Sequence, residues 1–263
     1  MKNLGLVLTS IFIALVVFYL VILKPQKYET TDMFDDIIQR GYIKVGIKND
    51  AKPYGFLNEK GEIIGYDADI AHYIAQYIFS NRNKVLFVPV TPSNRLIKLT
   101  TDEVDIVIAT MTITPQRQSV INFSIPYDSA GMALLVKSSS NITSIVDTAG
   151  QNIGVIWGTT AEKSVQNIVP NANIIGFRSY NDAYLALKEG RVNAVASDDT
   201  ILNQYALNDK SVKLLPKRYT KEPYGIGLRE GKGAAKLKNV LDFAINDMKQ
   251  KNIINRLHKQ WLE

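Results

Sequence analysis

The residues in this chain best suited to holding an anion stand at the ends of oily runs, and the clearest is Arg117. The stretch Ile106-Val-Ile-Ala-Thr-Met-Thr-Ile-Thr-Pro-Gln-Arg117 begins as a strand and ends in hydroxyls, a proline and a cation. Thr114-Pro115 reads as a helix start, with Thr as N-cap and Pro in the first helical position. Arg117 then falls in the first turn, where the macrodipole already presents partial positive charge. A cation there is either solvated or facing an anion. Related chemistry recurs elsewhere. Lys48 opens the loop Lys48-Asn-Asp-Ala-Lys-Pro-Tyr54, and Arg95 ends Thr91-Pro-Ser-Asn-Arg95. In Gly158-Thr-Thr-Ala-Glu162, Thr159 and Glu162 have capping-box spacing, which leaves helix N–H groups for an anion. Ser197-Asp198-Asp199 is the acidic strand end, and Thr110 and Thr112 add hydroxyls. Each feature alone has an ordinary explanation as a solvated charge or a helix cap. Together they match a zwitterion, which needs Arg and N–H donors for its carboxylate and a carboxylate for its ammonium group.

The elements that must position these residues follow from periodicity. From Ile37 onward, short apolar runs alternate with helix-period stretches, the pattern of an α/β fold with a mainly parallel sheet. Strands are expected at 43–47, 85–90, 106–109, 132–136, 153–157, 174–177, 192–196 and 224–228. Helices are expected at 67–79, 94–100, 161–168, 181–188, 199–206, 233–249 and 253–262. In open parallel sheets, ligands sit beyond the carboxyl ends of strands, which is where the residues named above fall. Breaks near Tyr127–Gly131 and Thr220–Tyr224 divide the chain into residues 33–128 with 224–263, and an inserted block at 129–223.

Bulk composition narrows the function further. The 263 residues are 46% hydrophobic and 21% charged, ordinary for a globular chain. Net charge is +6, without a like-charge block or a basic stripe interleaved with aromatics, so nucleic acid is not an expected partner. The absence of cysteine excludes disulfides, thiolate metal sites, cysteine nucleophiles and a lipid-modified N-terminal cysteine. Two histidines, His72 and His258, fall away from the strand ends, and neither a nucleophile–base pair nor a metal-ligand cluster emerges. Leu4 to Leu23 is an uncharged apolar run followed by Lys-Pro-Gln-Lys-Tyr. It exceeds the length of a secretory signal core, lacks an Ala-x-Ala site and approaches the roughly 20 residues that span a bilayer. Residues 1–27 are therefore expected to be an uncleaved transmembrane anchor, with a cleaved signal as the alternative.

Several motifs in order resemble one family. They are Lys44-Val-Gly-Ile-Lys-Asn-Asp50, Gly61-Glu-Ile-Ile-Gly-Tyr-Asp-Ala-Asp-Ile-Ala71, Val104 to Arg117, Asn122-Phe-Ser-Ile-Pro-Tyr127, Ile153-Gly-Val-Ile-Trp-Gly-Thr-Thr160 and Glu222-Pro-Tyr-Gly-Ile226. The sequence resembles the family 3 extracellular solute-binding proteins, the polar amino-acid-binding subunits of bacterial ABC importers, from about Asp35 to Trp261. The resemblance implies a type II periplasmic-binding-protein fold: two α/β lobes joined by two hinge strands and closing on a ligand. It implies a monomer outside the cytoplasm that delivers an amino acid to an inner-membrane ABC permease, without a cofactor and without catalysis.

Carried over by motif, Arg117 would clamp the α-carboxylate, with Thr112, Thr159 and Thr160 adding donors. The Ala109 carbonyl and Asp198 would take the α-ammonium group, and Thr110 would line the same wall. Basic-amino-acid binders of the family tend to carry an acid at the position of Lys48 and a ring near Ala51. Lys48 reverses that charge, and Arg95 sits where aspartate and glutamate binders carry an arginine. Two cations favour an acidic side chain. Glutamine or asparagine is the alternative, because Lys and Arg also donate to an amide oxygen. The resemblance is also compatible with a tethered amino-acid sensor, and with a dehydratase of the cyclohexadienyl type, an activity found in a few proteins of this fold. The chain departs from the family in lacking both Ala-x-Ala and a lipobox cysteine, which makes it an atypical tethered member.

Overall fold

The computed structural model describes residues 32–263, and the anchor expected at 1–27 lies outside them. Strand β1 (Ile43–Ile47) is buried along almost its whole length, as an apolar run without polar alternation requires inside a parallel sheet. It pairs in parallel with β5 (Val85–Pro89) on one side and β6 (Ile106–Val107) on the other. Two antiparallel strands finish this sheet, β15 (Gly227–Leu228) beside β6 and β7 (Asn122–Phe123) at the edge. Before it comes α1 (Met33–Arg40), N-capped by Asp32, whose side chain accepts from Phe34 N–H at 2.9 Å.

One face of the first sheet is covered by α2 (Tyr66–Phe79), α8 (Ala234–Gln250) and α9 (Ile253–Trp261). Ile43, Val45, Ile70, Ile74, Leu237, Leu241 and Ile245 are buried in the resulting core. Burying each such side chain contributes about 1.5–3 kcal/mol before entropy is counted. The opposite face packs Val90, Leu99, Val104, Val107 and Met111 around α3 (Arg95–Thr100). A small antiparallel sheet of β2 (Asp50–Ala51), β3 (Gly55–Leu57) and β4 (Ile63–Ile64) follows β1, and a short helix, α4 (Pro115–Gln118), follows β6.

The second lobe repeats the plan. Its sheet runs β11 (Asn173–Phe177), β10 (Asn152–Ile156), β12 (Ala194–Asp198), β9 (Met132–Lys137) and β13 (Val212–Leu214). Its helices are α5 (Ala161–Ile168), α6 (Tyr180–Glu189) and α7 (Asp199–Asn208), with a 3-10 turn at Ile145–Thr148. The lobes are joined by β8 (Asp128–Ala130) and β14 (Glu222–Tyr224), paired antiparallel with Asp128 opposite Tyr224.

Three expectations need correction. Neither sheet is mainly parallel: each has two parallel and two antiparallel pairings, because a crossing strand re-enters from the far side. The strand expected at 224–228 divides into β14 and β15, since Tyr224 belongs to the crossing pair and Gly227 to the lobe 1 sheet. The acidic strand end lies deeper than expected, because β12 continues through Asp198. Among the described residues, no helix is long and apolar enough to cross a membrane.

Candidate functional site

Lobe 1 sends three cations toward lobe 2 from the ends of its strands. Thr114 N-caps α4, its hydroxyl accepting from Arg117 N–H at 3.2 Å. The Arg117 guanidinium donates to Thr112 O at 2.8 Å and reaches across to Gly158 O at 3.1 Å. Arg95, the first residue of α3, donates to Ala109 O at 2.6 Å, to Thr110 O at 3.3 Å and to the same Gly158 O at 3.4 Å. Two guanidinium groups therefore share one carbonyl of the other lobe. Gly158 makes this approach possible: its φ is +80°, and a Cβ there would lie 2.6 Å from both the carbonyl carbon and the oxygen of Pro92.

Lys48 is the third cation. It follows β1 directly, and its Nζ donates to Thr110 Oγ1 at 2.5 Å and to the Tyr180 hydroxyl at 2.7 Å. The ammonium also lies 4.9 Å from the Tyr180 ring centre. Tyr180 opens α6 in lobe 2, so this bond too crosses between lobes. Thr110 has φ +44°, a left-handed conformation unusual for a β-branched residue, of order 1–3 kcal/mol of strain. It is held by three contacts: its N–H donates to Asp67 at 3.1 Å, its hydroxyl accepts from Lys48, and its carbonyl accepts from Arg95.

Lys48 and Arg95 are 1% and 2% exposed, and Arg117 is 9% exposed. Among the described residues, none of the three has a carboxylate oxygen within 4.0 Å. Burial pushes all three pKa values down, and the neighbouring Arg95 charge adds to the effect on Lys48 and Arg117. Lys48 comes down to about 8, while guanidinium groups stay cationic at neutral pH. The Arg95 Nε is a buried donor with no partner.

Asp198 is the nearest balancing charge from lobe 2. It stands at the N-cap position of α7 without a capping bond from its side chain, leaving both carboxylate oxygens free of that duty. Burial raises its pKa, and attraction to Lys48 opposes the rise. Glu222 on β14 is also buried, its carboxylate accepting from the Thr160 hydroxyl at 3.0 Å and the Thr220 hydroxyl at 2.7 Å. A cavity of about 960 Å³ opens beside Glu222 and Arg117, lined also by Thr112, Gly158, Thr160 and Lys163, while Lys48, Arg95 and Asp198 do not line it.

The structure thus brings Lys48, Arg95, Thr110, Thr112 and Arg117 together with Thr160 and Asp198. The others are placed differently from expectation. Thr159 does not form a capping box with Glu162; its hydroxyl donates to Ile156 O at 2.7 Å, and Thr160 occupies the N-cap position of α5 without a capping bond. The Ala109 carbonyl, expected for an ammonium group, accepts from Arg95 and keeps only its second lone pair. Sequence reasoning missed Tyr180, Asp67, Gly158 and Glu222. Tyr180 follows β11, a strand whose carboxyl end also faces the cleft, and Asp67 stands in the first turn of α2.

The chain is similar to known proteins over most of its length. The model of the bacterial extracellular solute-binding proteins, family 3, matches residues 43–263. The ABC transporter glutamine-binding protein GlnH of Bacillus subtilis (strain 168) is 33% identical over 242 residues, 91% of this chain and 88% of its own. The glutamine-binding protein of Geobacillus stearothermophilus is 36% identical over 199 residues, 75% of this chain and 76% of its own. The crystal structure of the cysteine-binding protein from Campylobacter jejuni superposes with a TM-score of 0.84 at 30% identity, covering 89% of this chain and 94% of that one.

Proposed function

The chain belongs to the bacterial extracellular solute-binding proteins, family 3, and from that premise we propose that it binds glutamate or aspartate between its lobes and delivers it to an ABC permease. The observation that carries this reading is the set of three buried cations without an ion-paired carboxylate. A buried charge requires a partner, and a dicarboxylate zwitterion supplies two. Arg117 holds the α-carboxylate, which takes the place of Gly158 O, while Thr112, Thr159 and Thr160 line that end. Asp198 and the remaining lone pair of Ala109 O receive the α-ammonium group. Lys48 and Arg95 receive the side-chain carboxylate, against the wall formed by Thr110. Tethering through Leu4–Leu23 would keep the protein near its permease and raise its effective concentration there.

A second reading, glutamine or asparagine, is favoured by the glutamine-binding relatives from B. subtilis and G. stearothermophilus. An amide oxygen accepts from Lys48 as a carboxylate does. Calorimetric titration of the full chain in mild detergent with each of the twenty amino acids decides between them. Glutamate or aspartate binding tightest supports the acidic reading, and glutamine or asparagine binding tightest replaces it with the amide one. Binding of no amino acid overturns both.

A further inference from the structure

Asp67 stands behind the cleft rather than in it. It is the second residue of α2 and fully buried, one carboxylate oxygen accepting from Thr110 N–H at 3.1 Å and the other from the Tyr127 hydroxyl at 2.9 Å. Thr110 in turn accepts from Lys48 Nζ. One residue therefore separates this carboxyl from the ammonium assigned above to the ligand side chain. The charged and titratable groups facing Asp67 are Lys48 after β1, Tyr54 before β3, Tyr66 on its own helix, and Tyr127 and Asp128 at the crossing strand. Lys48 is the cation in that set.

The cations Lys48, Arg95 and Arg117 stand among the carboxyl groups of Asp198, Glu222, Asp50 and Asp67. Protonating Asp67 removes one negative charge from these walls, which favours an anionic side chain such as that of glutamate over the neutral one of glutamine. Resting on the assignment of Lys48 to the ligand side chain, we propose that Asp67 is a specificity-determining residue: its carboxyl takes up a proton from solvent when an acidic side chain enters the cleft, and takes up none when an amide enters.

The coupling runs through Lys48. Burial, with a smaller push from the Asp128 charge, raises the Asp67 carboxyl to about 7 against hydrogen bonds from Tyr127 and Thr110 and the attraction of Lys48. A ligand carboxylate on Lys48 neutralises that attraction, so the Asp67 proton affinity rises further. An amide leaves the ammonium charge uncompensated, and Asp67 is undisturbed. Lys48, at about 8, also gains proton affinity from a ligand carboxylate, but it is already largely protonated at pH 7.

The test titrates glutamate and glutamine into the full chain in phosphate and in Tris, whose ionisation enthalpies differ, and counts protons taken up. At pH 7 glutamate is expected to bring up to about half a proton and glutamine none. From pH 6 to pH 8 the glutamate Kd rises about five- to tenfold, while that of glutamine changes less than about twofold. Asp67→Asn abolishes the uptake at pH 7. Tyr127→Phe, which removes a bond favouring the ionised form, moves the uptake to higher pH. Equal proton counts for the two ligands overturn the proposal, as does wild-type uptake in Asp67→Asn; should that variant not fold, the wild-type counts decide alone. Failure of glutamate to bind at pH 6 also overturns it. If neither amino acid binds, the assignment of the site falls and this inference with it; if both bind without proton uptake, only this inference falls.

Discussion

The two lobes contribute opposite kinds of chemistry to the cleft. Lobe 1 brings all three buried cations, each rooted at or just past a strand end and braced by its own lobe: Thr112 O under Arg117, Ala109 O under Arg95, Thr110 Oγ1 under Lys48. Lobe 2 brings neutral acceptors, Gly158 O and the Tyr180 hydroxyl, and one acid, Asp198. An anion therefore finds its charge partners on lobe 1 alone. Lobe 2 brings the carboxylate that a cationic group would need, together with neutral acceptors facing the cations of lobe 1.

This division can be broken from either side. The largest effect is expected for Arg117→Ala, which leaves the α-carboxylate of every amino acid without its clamp and costs about 3–5 kcal/mol, a loss of more than a hundredfold. Unchanged calorimetric affinity in this variant would refute the assignment. Gly158→Ala leaves every charge in place yet forces a Cβ against the Pro92 carbonyl at an unfavourable φ. A penalty near 2 kcal/mol follows, about thirtyfold in Kd. Small-angle scattering should then show no contraction on adding ligand; normal contraction would mean the close approach is dispensable. Lys48→Met should weaken glutamate by about tenfold to a hundredfold and glutamine by about fivefold, since the former loses a charge partner and the latter one hydrogen bond. Equal losses for both ligands would place Lys48 outside the side-chain pocket. The smallest effect is expected for Tyr180→Phe, which removes one lobe 2 contact to Lys48 and costs about 1 kcal/mol, or fivefold. Its rise in Kd should appear mainly as faster dissociation in stopped-flow experiments.

Much of the fold was legible because apolar runs and helix-period stretches alternate cleanly along the chain. The strand expected at 43–47 and the helix expected at 161–168 lie where the pattern puts them, and the strand expected at 85–90 ends one residue earlier, at Pro89. The antiparallel sense of half of each sheet was not legible, although the strand expected at 132–136 is β9. Gly227–Leu228 is too short for a periodic signal, and its neighbours are fixed by the path of the chain between lobes. The helix at Met33–Arg40 hid behind the acidic pair Asp35–Asp36, which is the helix's own first turn. Cations at strand ends stood out because charge is conspicuous beside oily runs. Asp67 and Tyr180 did not, because each begins a helix, where an acid or a tyrosine draws no notice. Thr159 misled for a different reason: its spacing to Glu162 fits a cap, but the chain turns one residue later and its hydroxyl folds back onto Ile156 O.

The position of β15 has a consequence for how the molecule is made. Gly227–Leu228 lies between β6 and β7 inside the lobe 1 sheet, although some hundred residues of chain intervene. Every strand of the lobe 2 sheet, by contrast, lies within Met132–Leu214. During synthesis the second lobe has all its sheet partners as soon as Leu214 emerges, while the first, begun earlier, waits with a gap between two strands. The half of the protein translated first is thus the half completed last, and its unpaired edge is exposed until the C-terminal segment arrives.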